Sequence, residues 1–255
     1  MVQKLNLQTE ITVILINYNQ SKYLRDAIKS VLNQSYKNWK LIIVDDFSDK
    51  KTRSLLKKIS RNKNIKVYFM KKNRGAGFCR NFAIKKSKAS YLAFIDSDDI
   101  WKKDKLKNQI KFIKKNNLLF SYTNYETFGL KKRKVKNPPK INYLSFLRNT
   151  SIATSTMMVK RSLIGKTKFT DTKICEDYYF KCKLLTKTKY AYCLNQYLTK
   201  YRIRENSLQS SNLRNFYWIW KINKNYNKLN IFENLISLLF ISINSLKKYR
   251  GKNFF

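Results

Sequence analysis

Four short apolar runs in the first hundred residues constrain the fold of this chain more than any other feature. They read ITVILIN (11–17), WKLIIVDD (39–46), IKVYFM (65–70) and YLAFID (91–96). Continuous apolar runs of this length, rich in β-branched and aromatic residues, are typical of strands that are covered on both faces in a parallel sheet. The segments between them have helical spacing. We therefore predict an α/β fold with a mostly parallel central sheet flanked by helices.

Polar and acidic residues follow three of the four runs. The first run ends at Asn17 and Tyr18, the second at Asp46, and the fourth continues through Asp96 to Asp98. In sheets of this kind, ligands bind beyond the carboxyl ends of the strands. Carboxylates packed this closely repel each other, so a positive partner is expected among them. Carboxylate oxygens suit Mg²⁺ or Mn²⁺, and the functional interpretation is a divalent cation that bridges to a diphosphate.

These acidic clusters also have a purely structural interpretation. Asp98 or Asp99 could cap the helix predicted to follow them, and Asp45 and Asp46 could close an Asx-type turn. Neither cluster alone distinguishes the two interpretations. Their common position at successive strand ends favours a binding site.

A third acidic pair, Glu176 and Asp177, opens the helical pattern CEDYYFKCKLL. Acidic residues are common at helix N-termini because they interact favourably with the positive end of the helix dipole. A carboxylate at this position can also face a cleft and take a proton from an attacking hydroxyl. The spacing leaves both interpretations open.

The chain is strongly basic, with 55 Lys and Arg residues against 15 Asp and Glu and a formal net charge of +40. Such a charge attracts nucleic acid, phosphate-bearing substrates or an anionic membrane surface, although a compositional bias spread along the whole chain explains it equally well. No nucleic-acid-binding module is recognisable, so we expect no specific nucleic acid partner. Zinc chemistry is excluded because the chain has no histidine and no Cys-x-x-Cys pair. The N-terminal sequence has no signal-peptide pattern, and we expect a cytoplasmic protein.

The second half of the chain predicts further strands and helices, ending in two helices at about 212–228 and 231–249. YAYCLN and YLTKYRI, before those helices, suggest two separate strands. For the last helix we predict a stripe that faces the core; its members are Ile231, Leu235, Leu238, Leu239, Ser242 and Leu246. The alternative for this helix is attachment to an anionic membrane surface, since basic residues follow its apolar ones.

Taken together, these motifs resemble the inverting family 2 glycosyltransferases. The resemblance runs from about residue 9 to 210 and is carried by the early strand–helix units with VDDFSD, and by NRGAGFCRNFAI, YLAFIDSDDIW, CEDYYF and YRIRENSLQ. It implies a single GT-A domain, the fold of nucleotide-diphospho-sugar transferases. FSYTNYETF and NTSIATSTMMVKR are most similar to bacterial transferases of cell-surface polysaccharides, the teichuronic-acid type among them.

The resemblance implies roles for residues at the strand ends and at the start of the late helix. Tyr18 would pack near the nucleobase and Asp46 would bond to it, while Asp96 would lie near the ribose. Asp98 would ligate Mn²⁺ or Mg²⁺ with the donor diphosphate. Asp177 would be the base that activates the acceptor hydroxyl for in-line attack on the anomeric carbon.

Four further residues complete the predicted nucleotide-sugar site. Asn17 ends the first strand, and Arg80 matches a basic family position near the cleft, although it could equally be a structural ion-pair partner. Arg204 stands where many relatives have a histidine that reaches the metal or the diphosphate. A guanidinium cannot ligate a cation but can pair with phosphate, so we hypothesise that Arg204, together with Arg202, holds the diphosphate directly.

The resulting prediction divides the chain into a GT-A domain at 1–210 and a C-terminal helical extension at 211–255. Within the domain, 9–101 would bind the nucleotide-sugar and 102–210 the acceptor. The expected activity is transfer of one sugar per encounter from a nucleotide-diphospho-sugar, UDP-linked, to a glycan or lipid-linked acceptor. A non-processive enzyme is favoured because the Gln-x-x-Arg-Trp motif of polymerising relatives is absent. The alternatives are a related nucleotidyltransferase and a basic nucleic-acid-binding protein without transferase activity.

Overall fold

The computed structural model describes residues 10–204 and 212–250, and it confirms the strand–helix alternation of the first hundred residues. The boundary predicted at residue 210 lies outside these ranges. The elements of the first half are β1 (Ile11–Asn17), α1 (Ser21–Leu32), β2 (Trp39–Asp45), α2 (Lys50–Ile59), β3 (Ile65–Phe69), α3 (Ala76–Lys86) and β4 (Tyr91–Asp96).

The remaining elements extend the same sheet and add a second group of helices. In chain order they are β5 (Ile100–Trp101), α4 (Lys105–Lys115), β6 (Phe120–Gly129), β7 (Arg133–Val135), β8 (Lys140–Ile141), α5 (Tyr143–Asn149), β9 (Met158–Lys160), α6 (Arg161–Ile164), α7 (Glu176–Lys187), β10 (Ala191–Ile203), α8 (Asn212–Ile222) and α9 (Ile231–Arg250). A 3₁₀ turn (Thr154–Thr156) precedes β9, and a π-helical turn (Asn223–Asn227) follows α8.

All of these strands belong to one mixed sheet, whose main path has the order β3-β2-β1-β4-β9-β6-β10-β5. The longest pairings, β1 with β2 and β4, β2 with β3, and β6 with β10, are parallel. The short β9 runs antiparallel between β4 and β6. The register sets Asn17 beside Asp45 and Ile16 beside Asp96. The polar ends of β1, β2 and β4 therefore meet at one edge of the sheet, as predicted.

One prediction for the late strands is wrong. YAYCLN and YLTKYRI are not separate strands but parts of β10, which pairs with β6 over both segments. The register shifts between Leu194 and Tyr197, and again between Tyr197 and Thr199. An irregularity of this kind bends a strand without ending it, so the polar residues at 195 and 196 mark a bulge and not a loop.

Two apolar cores lie on opposite faces of the sheet. One is closed by α1, α2 and α4, with Leu24 and Ile110 among its buried residues. The other is closed by α3, α5 and α7 and by the C-terminal helices, through residues such as Ala83, Phe180 and Ile241. Continuous apolar strands follow from this arrangement, because both faces of β1, β2 and β4 are covered.

The predicted core-facing stripe of α9 is wrong. Ile231, Leu235 and Leu239 are exposed, and of the predicted stripe only Leu238 packs against the core among the side chains that the structure describes. The Leu246 side chain lies outside the described residues. The inward face instead carries Asn234, Ser237 and Ile241, which are all buried.

Polar contacts orient α9 in this way. Ser237 donates to the Leu147 carbonyl of α5 at 2.7 Å, and the amide of Asn223 reaches both Asn234 and Ser237 at 3.1 and 3.2 Å. Buried polar groups require such partners, and these pairings fix which face of the helix turns inward. In residues 10–204 and 212–250, no helix is both long and apolar enough to cross a membrane.

Candidate active site

The carboxyl ends of β1, β2 and β4, which we call the acidic edge, are ordered by hydrogen bonds within the fold. Asn17 is 1 % exposed, and its side-chain amide donates to the Asp45 carboxylate at 2.9 Å and to the Ser48 hydroxyl at 3.1 Å. The Ser48 hydroxyl also accepts the backbone N–H of Asn19 at 2.9 Å. Asn17 thus lies inside the fold and links the loops that follow β1 and β2, one of which carries Tyr18.

Asp46 is bound by the loop that precedes α3. One carboxylate oxygen accepts the backbone N–H of Arg74 at 2.7 Å, and the other accepts that of Gly75 at 2.8 Å. A carboxylate offers about four lone-pair positions, so both oxygens keep acceptor capacity for a ligand. The geometry holds the Asp46 side chain in one orientation at the acidic edge.

Two aromatic side chains are exposed on the loops that follow β1 and β2. Tyr18 is 49 % exposed and Phe47 is 50 % exposed, on the two loops that Ser48 joins. Phe47 has a φ of 68°, a left-handed conformation that is unusual for a bulky residue. Strained backbone of this kind clusters at functional sites, and the sequence analysis did not identify Phe47.

Arg80 is an ion-pair partner that connects two acidic elements. Its guanidinium contacts Asp96 of β4 at 2.8 Å and also pairs with Glu176 at the start of α7. Burial disfavours its charge, but Glu176 and Asp96 outweigh that effect and raise its pKa. Gly77 lets α3 lie against the chain segment before α7, because a Cβ there would lie 1.9 Å from the Thr170 carbonyl oxygen.

The turn after β4 concentrates negative charge. Asp98 lies 2.9 Å from the Nε atom of Arg204, yet burial and the neighbouring Asp96 raise its pKa despite this cation. Asp99 is fully buried and accepts the backbone N–H of Arg202 at 2.9 Å. Burial, then Asp96 and Asp98, raise the pKa of Asp99 well above its ordinary value. The turn therefore holds two carboxylates with raised pKa values although Arg204 pairs with one of them.

Arg202 near the end of β10 and Arg204 directly after it hold the turn in place. The Arg202 guanidinium lies between the rings of Tyr23 and Phe128, 4.3 and 4.2 Å from their centroids, and its Nε donates to the Asp98 carbonyl at 2.9 Å. Arg204 donates to the side chain of Gln20 at 2.9 Å in addition to its pairing with Asp98. Arg202 is therefore committed to the protein, whereas the Arg204 side chain is 30 % exposed.

This donor set fits an open divalent-cation site. Among the residues with described positions, no three Asp, Glu, His or Cys side chains are grouped as a metal cage. Mg²⁺ does not need a cage, because it commonly uses one or two carboxylates and completes its shell with water and substrate phosphate. Asp98, whose pKa stays raised although Arg204 pairs with it, is a group that a cation would stabilise further.

Asp177 occupies the first turn of α7 and is held by two donors. One carboxylate oxygen accepts the Thr154 hydroxyl at 2.5 Å and the Lys181 ammonium at 2.5 Å. Burial raises the pKa of Asp177, but Lys181 and Arg80 outweigh it and lower the pKa to about 2. Lys181 also donates to the Thr154 hydroxyl at 3.0 Å, which closes a three-residue network. Asp177 is therefore ionised at neutral pH.

A cavity of about 290 Å³ brings three of the predicted residues together, and Arg80, Asp96 and Asp177 line it along with Lys181. Its far wall comes from the C-terminal helices, including Ile241. The other predicted residues lie along the acidic edge. Asn17, Tyr18 and Asp46 are at the ends of β1 and β2. Arg202 and Arg204 contact Asp98 in the turn after β4.

Comparison with known proteins identifies the family, because residues 12–179 match the model of Glycosyl transferase family 2. The chain belongs to this family. The glycosyltransferase TuaG of Bacillus subtilis, whose name assigns it to teichuronic acid biosynthesis, is 31 % identical over 248 residues, which cover 95 % of this chain and 98 % of TuaG. WfgD of Escherichia coli, named a UDP-Glc:alpha-D-GlcNAc-diphosphoundecaprenol beta-1,3-glucosyltransferase, is 32 % identical over 215 residues, covering 83 % and 84 % of the two chains.

Solved structures show that this family 2 glycosyltransferase has the GT-A fold. Residues 1–349 of S. aureus TarS, in complex with UDP-GlcNAc, superpose with a TM-score of 0.73 at 22 % identity, covering 96 % of this chain and 75 % of that one. The mannosyltransferase PcManGT from Pyrobaculum calidifontis, in complex with GDP-Man and Mn²⁺, gives a TM-score of 0.69 at 14 % identity, with 96 % and 76 % covered. The predicted GT-A fold is confirmed.

Three residues of this family 2 glycosyltransferase site, Phe47, Thr154 and Lys181, were not identified from the sequence. Lys181 follows Asp177 by four positions, and that spacing marks ion pairs on helices, so a signal for it existed. The pairing of Glu176 with Arg80, and of Thr154 with Asp177, joins residues far apart in the chain. No local pattern predicts such contacts.

Proposed function

We propose that this chain is an inverting, non-processive, metal-dependent hexosyltransferase that acts in bacterial cell-surface polysaccharide biosynthesis. It would move a sugar from a UDP-linked nucleotide-diphospho-sugar to a hydroxyl of a glycan or lipid-linked acceptor. The observation that carries the proposal is the position of Asp177, an ionised carboxylate in the same cavity as Asp96 of the acidic edge. The names of TuaG and WfgD support the pathway and acceptor class, and the TarS complex supports the donor class.

In the proposed reaction, Asp177 accepts the proton of the acceptor hydroxyl as its oxygen attacks the anomeric carbon. The bond to the diphosphate oxygen breaks on the opposite side, so the configuration inverts and the diphosphate leaves with the bonding electron pair. A pKa near 2 makes Asp177 a weak base toward a free alcohol. Proton transfer would therefore be concerted with bond formation, when the hydroxyl has become acidic. A positioned base typically contributes about 10²–10⁴-fold to such a step.

The proposed donor site lies along the acidic edge. Tyr18 and Phe47 would contact the nucleobase, and Asp46, fixed by two backbone N–H groups, would accept a base N–H. Asp96 would bond to the ribose, while Asn17 would act through the loops that it orders.

Asp98 is the proposed ligand for Mg²⁺ or Mn²⁺, and such a cation, when bound, offsets charge on the departing diphosphate. Arg204 would contact the diphosphate, because its side chain is partly exposed beside Asp98. Arg202 would order the turn, since its guanidinium is enclosed by two aromatic rings. Arg80 would position Asp96 through their ion pair.

We assign residues 9–101 to donor binding and 102–210 to acceptor binding, with 211–255 as the C-terminal extension. This enzyme would work in the cytoplasm, at the inner face of the plasma membrane where a lipid-linked acceptor is held. The exposed apolar side chains of α9 give this location a physical basis.

Release of nucleoside diphosphate from a panel of nucleotide-sugars, with and without Mn²⁺ or Mg²⁺, tests the proposal. One donor should be turned over, only with the metal, and Asp98→Ala should abolish the release. Asp104→Ala is a matched control, since Asp104 is an exposed carboxylate at the start of α4. Metal-independent turnover, or full activity in Asp98→Ala, would contradict the assignment of Asp98.

A further inference from the structure

We propose that α9 docks this enzyme onto an anionic lipid bilayer through one exposed apolar face. Seven side chains, between 38 % and 77 % exposed, make up this α9 apolar face: Ile231, Phe232, Leu235, Ile236, Leu239, Phe240 and Ile243. The docking itself rests on this face and on the charge around it. Its purpose, access to a lipid-linked acceptor, rests on the proposed function.

The spacing of these residues forms a continuous surface. Positions 231, 235, 239 and 243 follow one i, i+4 row, and positions 232, 236 and 240 follow the adjacent row. Residues four apart are neighbours on a helix, so the two rows merge into one apolar strip over three turns. Contiguous apolar patches of this kind on a protein surface mark sites of interaction.

The opposite face of α9 prevents the helix from turning this strip inward. Asn234 and Ser237 are buried, and both contact the amide of Asn223, which also accepts the Tyr178 hydroxyl of α7 at 3.0 Å. Rotating α9 would break these bonds and the bond from Ser237 to the Leu147 carbonyl. Leaving buried polar groups without partners is costly, so the apolar face is held outward.

Positive charge adjoins the α9 apolar face. The Arg148 guanidinium lies 5.1 Å from the centroid of the Phe240 ring, and the Lys221 ammonium lies 5.2 Å from that of Trp218 on the neighbouring α8. The sequence from 212 to 250 contains seven Lys and Arg residues and a single acid, Glu233. An apolar strip with a basic surround is the composition that binds at the surface of an anionic membrane.

The same charge argues against a second copy of the chain as the partner. A symmetric dimer would bring the same basic surface of both copies together, which like-charge repulsion disfavours. A bilayer with anionic lipids supplies both an apolar layer and negative headgroups. The bilayer is therefore the partner to which the charge of this surface is complementary.

The helix fits a position in the plane of the membrane surface. Asn234, Ser237 and Asn244 interrupt its apolar sequence, and no helix in the described ranges qualifies as a membrane span. Ile241 and Asn244 of α9 also line the cavity that contains Asp177. Docking through the opposite face of this helix would hold the cavity close to a lipid-linked acceptor.

Co-sedimentation of the full chain with vesicles tests the proposal. Wild type should bind mixed vesicles that contain equal amounts of phosphatidylglycerol and phosphatidylcholine. It should bind vesicles of pure phosphatidylcholine much more weakly. The double variant Leu235→Asp, Leu239→Asp should bind the anionic vesicles at least about tenfold more weakly, because interfacial binding scales with buried apolar area. Leu130→Asp, at an equally exposed leucine in the loop between β6 and β7, should bind like wild type.

Two results would overturn the proposal: wild type that stays in the supernatant with anionic vesicles, or a double variant that binds them like wild type. Sedimentation velocity without vesicles tests the competing partner, and a dimer that the double variant dissociates would overturn the bilayer assignment. Circular dichroism checks that each variant is folded. Donor turnover, measured without vesicles, separates membrane docking from the proposed function. If wild type bound vesicles but turned over no donor, the result would count against the transferase proposal alone.

Discussion

The acidic edge and α9 handle burial in opposite ways. At the acidic edge and at the adjoining start of α7, charged side chains are withdrawn from solvent and given partners: Arg80 joins Asp96 to Glu176, and Lys181 holds Asp177. In α9 the buried face carries Asn234 and Ser237 beside Ile241, whereas seven apolar side chains are exposed. The contrast shows that periodicity identifies which residues share a face, whereas the partners available across the interface decide which face is buried.

The strongest test of the buried charges is Arg80→Ala. Removing the shared cation leaves the largely buried Glu176 and the half-buried Asp96 without their partner, so the free energy of unfolding should fall by up to about 3–5 kcal/mol. Chemical denaturation measures this change. Arg25→Ala, at an exposed arginine of α1, is the control and should lie within about 0.5 kcal/mol of wild type. A small effect at Arg80 would mean that the ion pairs do not organise the edge.

A pair of leucine substitutions compares the two regions directly. Leu15 in β1 is 0 % exposed and Leu239 in α9 is 59 % exposed. Leu15→Ala should lower the free energy of unfolding by about 2–5 kcal/mol, because it removes core contacts and leaves a cavity. Leu239→Ala should change it by less than about 0.5 kcal/mol. Equal losses at both sites would place the α9 apolar face inside the fold.

The polar inner face of α9 is tested by Asn223→Ala. Asn223 is buried and contacts Asn234, Ser237 and Tyr178, so its removal leaves buried polar groups unpaired. The expected loss of unfolding free energy is about 1–3 kcal/mol. Asn225→Ala, at an exposed position in the same π-helical turn, should be nearly neutral. A neutral Asn223→Ala would remove the reason for the outward orientation of the apolar strip.

The smallest predicted effect is a shift in pH dependence caused by Lys181→Met. Lys181 is the main group that lowers the pKa of Asp177 to about 2, so without it burial should raise that pKa. In wild type, the stability from ionised Asp177 is present above the usual aspartate pKa and is lost as the pH falls toward about 2. Because the pKa of Asp177 is higher in the variant, the acid limb of its turnover profile should move to higher pH.

A profile of donor turnover against pH measures this shift. Lys183→Met, on the same helix and without a contact to Asp177 among the described ion pairs, is the control and should keep the wild-type profile. An unchanged acid limb in Lys181→Met would show that Asp177 is not the group that titrates in turnover.

Much of the first half of the molecule could be predicted from the sequence, for a physical reason. Strands that are covered on both faces have continuous apolar sequences. Their parallel pairing brings Asn17, Asp46 and Asp96 to one edge of the sheet. The i, i+4 spacing of Lys181 to Asp177 was a local signal, whereas the role of Thr154 depends on how α7 packs against the 3₁₀ turn, which no local pattern encodes. In α9, the buried contacts of Asn234 and Ser237 outweigh the apolar periodicity.

The central claim is that Asp177 is the base for sugar transfer, and Asp177→Asn tests it most directly. The measurement is the rate of donor turnover, with donor binding followed separately by calorimetry. The account predicts a rate lowered by about 10²–10⁴-fold with donor affinity close to that of wild type, because the amide keeps the shape of the side chain but cannot accept the proton. A variant that turns over donor within about twofold of the wild-type rate would contradict the claim.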